Sequence, residues 1–376
     1  MNHVFNTSIK YLHNNNEYVE FWKKYFNEYP LLDSDRFEIY IDFPFCKSIC
    51  KFCVFGSCKY SDYKNQIKDY ENAVLSLIKD MKDVIPKRIN NIYFGGGTPS
   101  LWSKEALVEI ASTIPGYHQA NTRMLECHPA DINDEFLNFI INDIDIKTVS
   151  IGIQSFDYDS NIAQHRIPAD IDVIKHAVKV LHQHGRYVNI DIVALFNYDG
   201  DKGWETYKND MKILMEDIKP DDISSSPNFR SSKYYAKVIE YRKIIKDILD
   251  KHPEYTLEHN ESLSTNIKDI IQYGEEIYHM RTKEYHEFFN NCRIGILDSN
   301  IDVIKENVVM PFGGVRPGHN SIGRLGKIYT DIYSGYDFSR HKLVHQLQPT
   351  RIIPPYKDGD NIPSIQIGNC SIDTNL

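Results

Sequence analysis

The stretch that says most about the fold of this chain is Cys46-Lys47-Ser48-Ile49-Cys50-Lys51-Phe52-Cys53. It places three cysteines at C-x3-C-x2-C spacing directly after a strand-like segment, Arg36–Phe43. Thiolates are the usual ligands of iron–sulfur clusters, and a cubane cluster needs four ligands. Three local cysteines leave one iron without a protein ligand, and a metal with an open position can act on a bound molecule, as catalytic zinc does. The spacing therefore favours a catalytic cluster over a structural one.

Spacing alone leaves zinc and a disulfide open as alternatives for these cysteines. Zinc sites are usually built from C-x2-C pairs, with a second pair or histidines further along the chain. The sequence contains no second such pair. The motifs that follow the cysteines along the chain favour the iron–sulfur interpretation.

The next informative motif is a glycine run in Tyr93-Phe94-Gly95-Gly96-Gly97-Thr98-Pro99-Ser100, at the end of another strand-like segment. Glycine lets a ligand approach backbone N–H and C=O groups closely. On its own such a run is more often a tight turn. Its position after the cysteine motif favours a ligand-binding role instead.

In chain order, these motifs and two later ones are similar to those of radical S-adenosylmethionine (SAM) enzymes. The later motifs are Glu126-Cys127-His128-Pro129 and Ser150-Ile151-Gly152-Ile153-Gln154-Ser155-Phe156-Asp157. The segment from Tyr40 to Cys46, with the aromatic Phe52 before the third cysteine, narrows the resemblance to the oxygen-independent coproporphyrinogen III oxidase-like family. The resemblance continues more weakly through residues 220–224 and 316–321, and it covers roughly residues 36–345.

The resemblance implies two cofactors, a [4Fe–4S] cluster and SAM. The cysteines of the family motif match Cys46, Cys50 and Cys53, which are therefore expected to bind the cluster and to be essential for catalysis. The segment Gly95-Gly96-Gly97-Thr98 is expected to hold the amino group and the methionyl part of SAM.

Further matches imply contacts to the rest of SAM. Glu126, at a strand end, is expected to bind the ammonium or the ribose, and Gln154 and Asp191 to bind the ribose or adenosine. Arg166 matches an arginine that pairs with the SAM carboxylate, for which a guanidinium fork is well suited. An aromatic face attracts a sulfonium cation. In the family, aromatic residues contact the sulfonium region and the adenine of SAM. The residues of this chain that match them are Tyr40 and Phe52.

The resemblance also implies the type of reaction. Three thiolates fix the cluster, SAM chelates the fourth iron, and one electron breaks the carbon–sulfur bond to give methionine and a 5′-deoxyadenosyl radical. That radical takes a hydrogen atom from the substrate, while the protein orients the reactants and excludes water. The expected partners are a small-molecule substrate and an electron donor such as flavodoxin or ferredoxin.

Composition narrows the class of protein. The chain has 376 residues, a net charge of −9 and no basic stripe, so nucleic acid is not an expected partner. No apolar run approaches the ~20 residues that span a bilayer. The first residues lack the pattern of a signal peptide. These features predict a cytoplasmic protein without a membrane partner, whose cysteines serve as metal ligands or free thiols.

Strand-like runs alternate with helical patterns, which predicts a parallel sheet. The resemblance implies a partial (β/α)6 barrel whose active site lies at the carboxyl ends of the strands. We expect a lead-in at residues 1–35, the barrel at 36–230, and an α-rich extension at 231–376 that covers the barrel mouth. The predicted strands are Phe37–Phe43, Asn91–Phe94, Thr122–Glu126, Thr148–Gln154, Tyr187–Leu195 and Asp222–Asn228. The predicted helices are Ile67–Met81, Lys104–Ser112, Ile171–Gln183, Tyr234–Leu249 and roughly 267–289.

The substrate-binding half departs from the family. Coproporphyrinogen oxidases have histidine where this chain has Asp42 and cysteine where it has Phe55, and a Gly-Leu-Pro-Gly segment is replaced by Leu195-Phe196-Asn197-Tyr198. The His-Asn-x-x-Tyr motif of haem-binding relatives is absent at residues 301–306. We therefore expect an oxidoreductase or a C-methyltransferase that acts on a small metabolite or natural-product intermediate.

Several alternatives remain on sequence alone. A second SAM bound near residues 314–321 would allow methyl or methylene transfer, although that segment also reads as a structural turn. The other function classes are a coproporphyrinogen III dehydrogenase-like or haem chaperone-like protein and an iron–sulfur electron carrier. The remaining cysteines are expected to be ordinary thiols, with an auxiliary cluster as the alternative; they are Cys58, Cys127, Cys292 and Cys370.

Overall fold

The structure is a computed structural model that describes residues 10–12, 14–28, 30–31, 36–53, 57–228, 234–257, 277–292, 307–312, 321–325, 328–337 and 342–352. Its strands are β1 (Lys10–Leu12), β2 (Arg36–Phe43), β3 (Phe45–Cys46), β4 (Cys58–Lys59), β5 (Asn91–Gly96), β6 (Thr122–Cys127), β7 (Thr148–Gln154), β8 (Tyr187–Ala194), β9 (Asp222–Pro227), β10 (Tyr255–Leu257), β11 (Tyr278–Thr282), β12 (Asn307–Phe312), β13 (Ser321–Leu325), β14 (Ile328–Asp337) and β15 (Lys342–Ile352).

The helices are α1 (Asn15–Glu28), α2 (Ile67–Met81), α3 (Lys104–Thr113), α4 (Asp134–Asn142), α5 (Tyr158–Ala163), α6 (Ile171–Gln183), α7 (Gly200–Lys212), α8 (Tyr234–Leu249) and α9 (Lys283–Cys292). A π-helical turn, Ile213–Ile218, extends α7. Single 3-10 turns lie at Tyr60–Asp62, Pro99–Leu101, Tyr117–Gln119 and Pro129–Asp131.

One nine-stranded sheet forms the centre of the molecule, in the order β10-β11-β9-β8-β7-β6-β5-β2-β12. Its middle six strands, β2 and β5 to β9, are all parallel and follow one another in chain order. This is the predicted (β/α)6 arrangement, and the fold class is confirmed. β12 adds a parallel strand beside β2, and β11 pairs antiparallel with β9. The carboxyl ends of the six middle strands therefore share one edge, where such folds carry their active sites.

Local sequence explains the regular elements well. α2 has the predicted bounds, and the apolar residues expected on its inner face, Ile67, Val74, Leu75 and Ile78, are all buried. β7 and α6 also coincide with their predicted ranges. Asp170 begins α6 by accepting hydrogen bonds from two backbone N–H groups of its first turn, as an N-cap residue does.

The C-terminal region departs from expectation in one place. A helix was expected over roughly residues 267–289, but Tyr278–Thr282 is strand β11, and the helix α9 begins only at Lys283. Tyr278 and Met280 are buried and alternate with the half-buried His279, a period of two that suits an antiparallel edge beside β9. The described part of the region also includes β12 to β15, so it contains more strand than an α-rich extension.

The two faces of the parallel strands have different chemistry. Residues on the outer face, such as Ile39, Ile41 and Phe43 of β2, are fully buried apolar side chains that pack in the main core. The inner face carries polar and aromatic side chains instead, among them Asp42 and Tyr93. Because successive residues of a strand point to opposite faces, this alternation fixes which side chains line the barrel interior.

Helix α9 closes the barrel interior at the amino-terminal ends of the strands. Its Tyr285 and Phe289 pack against Tyr93 and Met124 of the inner face. The carbonyl oxygen of its last residue, Cys292, accepts hydrogen bonds from Asn90 Nδ2 at 3.3 Å and Asn121 Nδ2 at 3.0 Å, just before β5 and β6 begin. The expected domain boundaries and the coverage of the barrel mouth stay predictions, because residues 258–276, 293–306 and 313–320 lie outside the described part.

No helix within the described residues is both long and apolar enough to cross a lipid bilayer.

Candidate functional site

The cysteine loop leaves the carboxyl end of β2 and returns across the same edge of the sheet. The thiols of Cys46, Cys50 and Cys53 are all partly exposed and take part in no disulfide. The Thr98 hydroxyl donates to Cys46 Sγ at 3.3 Å, and Arg166 Nη1 donates to Cys50 Sγ at 3.5 Å. Donors of this kind stabilise thiolates, so the surroundings of the loop suit sulfur ligands that carry negative charge.

Opposing effects act on the pKa of the Cys46 thiol. Burial raises the pKa of Cys46, and the neighbouring Cys50 raises it further, whereas hydrogen bonds from Thr98 and Ser57 and the charge of Arg166 lower it. A coordinating metal deprotonates such a thiol outright. Within the described residues no three cysteine, histidine or carboxylate side chains converge as a preformed metal group.

Among the other described cysteines, Cys58 lies beside the loop, where its N–H donates to the Pro44 carbonyl at 2.7 Å, whereas Cys127 and Cys292 are buried. Burial raises the pKa of the Cys127 thiol far above its ordinary value, and three nearby carboxylates add to the effect. Burial also raises the pKa of Cys292 to about 11, and its Sγ donates to the Asn121 carbonyl at 3.5 Å on the far side of the barrel. Both are neutral buried thiols, as expected. Cys370 lies outside the described residues.

The glycine segment packs directly against the cysteine loop. The N–H of Gly97 donates to the Phe43 carbonyl at 2.9 Å, which ties the end of β5 to the end of β2. A Cβ added at Gly97 would lie 2.8 Å from the Pro44 carbonyl carbon and 3.0 Å from Cys46 Sγ. Gly96 has a φ of +116°, a conformation that residues with a side chain rarely adopt. Only glycine fits at these positions.

Glu126 lies at the end of β6 and faces the barrel interior. Its Oε1 accepts a hydrogen bond from the Tyr93 hydroxyl at 2.5 Å, and the Tyr93 ring stacks on Tyr40 with 5.6 Å between centroids. Burial raises the pKa of Glu126 to about 8, and the charges of Asp191 and Asp42 raise it further, while the Tyr93 hydrogen bond lowers it. A cationic ligand above this carboxyl would favour its ionised form.

Asp191, in the second half of β8, belongs to a polar network on the inner face. Its carboxylate accepts from Asn189 Nδ2 at 2.9 Å and from the Ser150 hydroxyl at 3.2 Å. The Ser224 hydroxyl donates in turn to Asn189 Oδ1 at 2.9 Å. Burial raises the pKa of Asp191, and the hydrogen bonds from Asn189 and Ser150 oppose that rise. The charge of Asp191 also raises the pKa of Glu126, so the two carboxyls lie close enough to interact. Buried carboxyls with perturbed pKa values are candidates for a functional site.

Gln154 and Arg166 meet at the end of β7. Gln154 has a φ of +70°, and the pairing of β7 with β8 shifts register between Gly152 and Gln154. A Cβ at Gly152 would lie 2.9 Å from Gln154 Nε2 and 3.1 Å from Arg166 Nη2, so the two side chains are neighbours. Arg166 Nη2 also donates to the Gly152 carbonyl. Its Nε is buried and has no hydrogen-bond partner within the described residues.

Phe52 is the predicted site residue with the least polar surroundings. Its ring packs edge-on against Phe196, with 4.9 Å between centroids, in the segment that follows β8. The predicted site residues thus gather at the carboxyl end of the sheet, on or directly after five of the parallel strands; they are Tyr40, Cys46, Cys50, Cys53, Phe52, Gly95, Gly96, Gly97, Thr98, Glu126, Gln154, Arg166 and Asp191.

The structure adds residues that the sequence reasoning did not assign to the site. Tyr93 hydrogen-bonds Glu126, and its position two residues before Gly95 on a strand could have placed it on the inner face. His128 lies near Arg166 and Lys47, and burial with these two positive charges lowers its pKa to about 3, so its imidazole is neutral. Asp42 is a buried carboxylate at the end of β2, where a charged residue is unusual.

The donor set fits the two cofactors implied by the motifs. Free thiols with N–H and O–H donors to sulfur suit an iron–sulfur cluster. The buried, unpartnered Nε of Arg166 suits a carboxylate, and the carboxyls of Glu126 and Asp191 suit an ammonium or a hydroxyl group.

Comparison with curated proteins supports this assignment. Residues 40–209 match the radical SAM superfamily. The chain is 26% identical over 194 residues to the oxygen-independent coproporphyrinogen III oxidase of Helicobacter pylori. The aligned region covers 50% of this chain and 42% of that protein. It is also 26% identical over 182 residues to the heme chaperone HemW of Lactococcus lactis, 47% of this chain and 45% of that protein. The chain thus spans less than half the length of these relatives.

Comparison with solved structures supports the fold. The coproporphyrinogen III oxidase HemN from Escherichia coli, described as a radical SAM enzyme, matches with a TM-score of 0.54 and 15% identity, over 85% of this chain and 70% of that one. This likeness agrees with the parallel barrel. Members of the radical SAM superfamily use SAM and a [4Fe–4S] cluster. This chain is similar to that superfamily in its sequence over residues 40–209 and in its motifs, and its fold is similar to that of HemN.

Proposed function

We propose that this protein is a radical SAM enzyme that abstracts a hydrogen atom from a small metabolite or natural-product intermediate. When bound, a reduced [4Fe–4S] cluster and SAM supply one-electron cleavage of SAM to methionine and a 5′-deoxyadenosyl radical. The residues Cys46, Cys50 and Cys53 would hold the cluster. The reaction that follows is hydrogen abstraction, with methyl or methylene transfer from a second SAM as the leading specific form.

One observation carries the proposal, the position of Arg166. Its guanidinium contacts Cys50 Sγ at 3.5 Å and the Gly152 carbonyl, and its Nε is buried without a partner within the described residues. A carboxylate that approaches this nitrogen would lie beside the cysteine loop, where the SAM carboxylate must lie to reach the open iron. The Nε of Arg186, an arginine paired with Asp145, is also buried without a hydrogen-bond partner among the described residues, so the contact with Cys50 Sγ is what distinguishes Arg166.

The carboxyl of Glu126 supports the proposed position of the SAM ammonium, as Arg166 supports that of the SAM carboxylate. In the absence of a ligand, burial holds its pKa at about 8, so it is mainly protonated at neutral pH. The SAM ammonium is a cation that would ionise it and gain a charge-assisted hydrogen bond. The backbone of Gly95–Gly97, which a Cβ would obstruct, borders the same space.

The positions at which this chain differs from the porphyrin-oxidising family support a reaction other than porphyrin oxidation. The position of the family histidine is held by Asp42, which is buried at the end of β2. The segment Leu195-Phe196-Asn197-Tyr198, which replaces the family's Gly-Leu-Pro-Gly, contributes lining residues to a small cavity beside α7. Segment 314–320, invoked for a second SAM, and Phe55 lie outside the described residues. The second SAM therefore rests on the sequence alone.

The test is anaerobic reconstitution followed by reduction in the presence of SAM. We expect about four irons per chain and the formation of 5′-deoxyadenosine. The triple variant Cys46→Ala/Cys50→Ala/Cys53→Ala should lose both, whereas Cys292→Ser, a matched thiol change on α9, should keep both. Retention of iron by the triple variant would contradict the proposed cluster ligands.

Two further measurements separate the alternatives. A haem titration that gives a Soret shift would favour a haem chaperone, and a reducible cluster whose electron paramagnetic signal ignores SAM would favour an electron carrier. SAM with a labelled methyl group tests the specific form of the reaction. Label in a small product together with S-adenosylhomocysteine would support a second SAM, and substrate turnover with 5′-deoxyadenosine alone would exclude methyl transfer.

A further inference from the structure

His128 comes directly after β6, two residues beyond Glu126. Its backbone is extended, with φ −84° and ψ 136°, so the alternation of faces along β6 continues through it. His128 therefore follows Glu126 on the inner face, closer to the carboxyl edge of the sheet. The last pair of β6 with β7 joins Cys127 to Ile151, so the next residue of β7, whose carbonyl accepts from Arg166, lies beside His128.

The two nitrogens of the His128 imidazole have different surroundings. Nδ1 accepts a hydrogen bond from the Ala130 N–H at 3.1 Å, which caps the 3-10 turn Pro129–Asp131. A ring nitrogen that accepts a hydrogen bond carries no proton, so the imidazole proton is on Nε2. Nε2 is buried and has no hydrogen-bond partner within the described residues. His128 therefore has one N–H donor that the cap does not use.

The cap alone does not require histidine. Short side chains such as asparagine, aspartate, serine and threonine are the usual caps, because each places an acceptor close to the backbone. Histidine supplies such an acceptor and adds a donor farther from the chain. Buried atoms without a partner also occur elsewhere among the described residues, as at Arg186 Nε, so the position of the His128 donor decides what it suits.

The elements around His128 are those expected to hold the cofactors. Its backbone N–H donates to the hydroxyl of Ser100, which follows the glycine segment, at 3.5 Å. Lys47, in the cysteine loop, forms an ion pair with Asp131 of the capped turn. Burial lowers the pKa of His128, and the charges of Arg166 and Lys47 lower it further, so the potential at the imidazole is positive. Such surroundings suit an anionic acceptor.

We propose that His128 binds the SAM carboxylate, to which its Nε2–H donates beside the guanidinium of Arg166. This inference rests on the proposed function, and the motif matches give His128 no contact to SAM. The ammonium and the carboxylate of SAM are bonded to one carbon. A ligand with its ammonium at Glu126 and its carboxylate at Arg166 therefore lies over His128, the inner-face residue between them. A carboxylate accepts about four hydrogen bonds, so it has room for both donors.

A sulfide of the cluster is the rival acceptor for the same N–H. The inner-face position that His128 shares with Glu126 favours the carboxylate, because Glu126 is the proposed partner of the neighbouring ammonium. The two acceptors are also separable by experiment. A donor to a cluster sulfide affects the cluster when SAM is absent, whereas a donor to the carboxylate affects only the binding of SAM.

The experiment compares two substitutions that each keep one function of the imidazole. His128→Asn keeps an acceptor at the position of Nδ1 but ends short of Nε2. His128→Gln brings an amide N–H near the position of Nε2 but leaves the Ala130 N–H without its acceptor. Both variants are made in the full-length protein with a reconstituted cluster. Equilibrium dialysis measures the dissociation constants of SAM and of decarboxylated SAM, which lacks the carboxylate.

Two further measurements accompany the dialysis. The midpoint potential of the cluster is measured without SAM, and the melting temperature is measured on the cofactor-free proteins. We expect His128→Asn to bind SAM about 10-fold more weakly, because it loses a hydrogen bond to a charged group. His128→Gln should stay within about threefold of the unmodified protein, because it keeps a donor. Decarboxylated SAM should bind the asparagine variant and the unmodified protein equally.

The midpoint potential should be the same in all three proteins. Among the cofactor-free proteins, the melting temperature of His128→Gln should fall more than that of His128→Asn, because only the glutamine variant loses the cap. The reverse order would show that the Nε2–H already has a partner within the chain and would overturn the proposal.

The binding outcomes separate this inference from the proposed function. If His128→Asn binds SAM as tightly as the unmodified protein, or loses the same factor for SAM and decarboxylated SAM, His128 does not bind the carboxylate. A shift of the cluster potential without SAM in the asparagine variant assigns the donor to the cluster and also overturns the proposal. If the unmodified protein with a full cluster binds no SAM, the proposed function fails and this inference fails with it.

Discussion

Replacing Glu126 by glutamine in the cofactor-free protein should flatten the pH dependence of its stability. Burial raises the pKa of Glu126 from 4.5 to about 8, so the folded state binds this proton more tightly than the unfolded state. The resulting stabilisation is fully present below about pH 4.5 and is lost as the pH rises toward 8. Between pH 5 and pH 7 the unfolded carboxyl ionises while the folded one stays mainly protonated. This difference lowers the free energy of unfolding by about 2.5 kcal/mol.

The assay is urea unfolding followed by circular dichroism at pH 5, 6 and 7. Glutamine cannot ionise, so the variant should lack the loss of about 2.5 kcal/mol. Titrating groups that do not interact with Glu126 act equally in both proteins and cancel in the difference. Glu105→Gln, at an exposed position of α3, removes one carboxylate without burial and serves as the control. Identical pH slopes for the Glu126 variant and the unmodified protein would refute a buried, mainly protonated carboxyl at this site.

The same titration gives a signature of SAM binding. At pH 7 a carboxyl with a pKa of about 8 is roughly nine-tenths protonated, so a cation that ionises it should release about 0.9 proton. Calorimetry in buffers with different ionisation enthalpies measures this release directly. Binding of SAM to the unmodified protein without proton release would contradict the placement of the ammonium at Glu126, and the glutamine variant should release much less.

Further substitutions test neighbouring parts of the site. Gly97→Ala should cost about 1–3 kcal/mol and lower the iron content, because the new Cβ would meet Pro44 and Cys46 Sγ; full iron content at an unchanged melting temperature would contradict this. Arg166→Lys keeps the charge but loses the guanidinium fork, so SAM should bind at least about 10-fold more weakly in equilibrium dialysis, and an affinity within twofold of the original would count against the proposed carboxylate contact. Asp210→Ala should lower stability by about 2–4 kcal/mol in urea unfolding, because it leaves the buried O–H donor of Ser155 and the Phe156 N–H without an acceptor. A midpoint like that of Asp210→Asn would show that these hydrogen bonds matter little.

Elements with a strong local pattern could be predicted from the sequence. α2, α6 and β7 have the predicted bounds because their apolar residues recur at helical or strand spacing over several turns or pairs. The strand Tyr278–Thr282 could not be predicted this way. Its short sequence Tyr-His-Met-Arg-Thr is compatible with either element, and its pairing with β9 joins residues more than fifty positions apart, which local reasoning does not register.

The candidate site likewise has a part that could be predicted from the sequence and a part that could not. Motif order and residue chemistry predicted which side chains gather at the carboxyl end of the sheet, because strand ends of a parallel sheet share one edge. The hydrogen bonds between those side chains depend on distant parts of the chain. Asp210 illustrates this, since it accepts from the Ser155 hydroxyl at 2.6 Å and the Phe156 N–H at 2.9 Å from a helix more than fifty residues later. It thereby supports the backbone directly after Gln154, which has a positive φ.

The barrel interior also constrains how a substrate reaches this site. Below Glu126, the stacked rings of Tyr40 and Tyr93 join Met124, Tyr285 and Phe289 in an apolar layer that α9 closes at the amino-terminal ends of the strands. A polar substrate cannot pass through such a layer without losing its hydrogen bonds to water. For the proposed enzyme we therefore expect a substrate to enter at the carboxyl end, over the loops that follow the strands. Those loops include Leu195–Tyr198, where the chain departs from the pattern of the porphyrin-oxidising family, so we expect this segment to influence which substrate is bound.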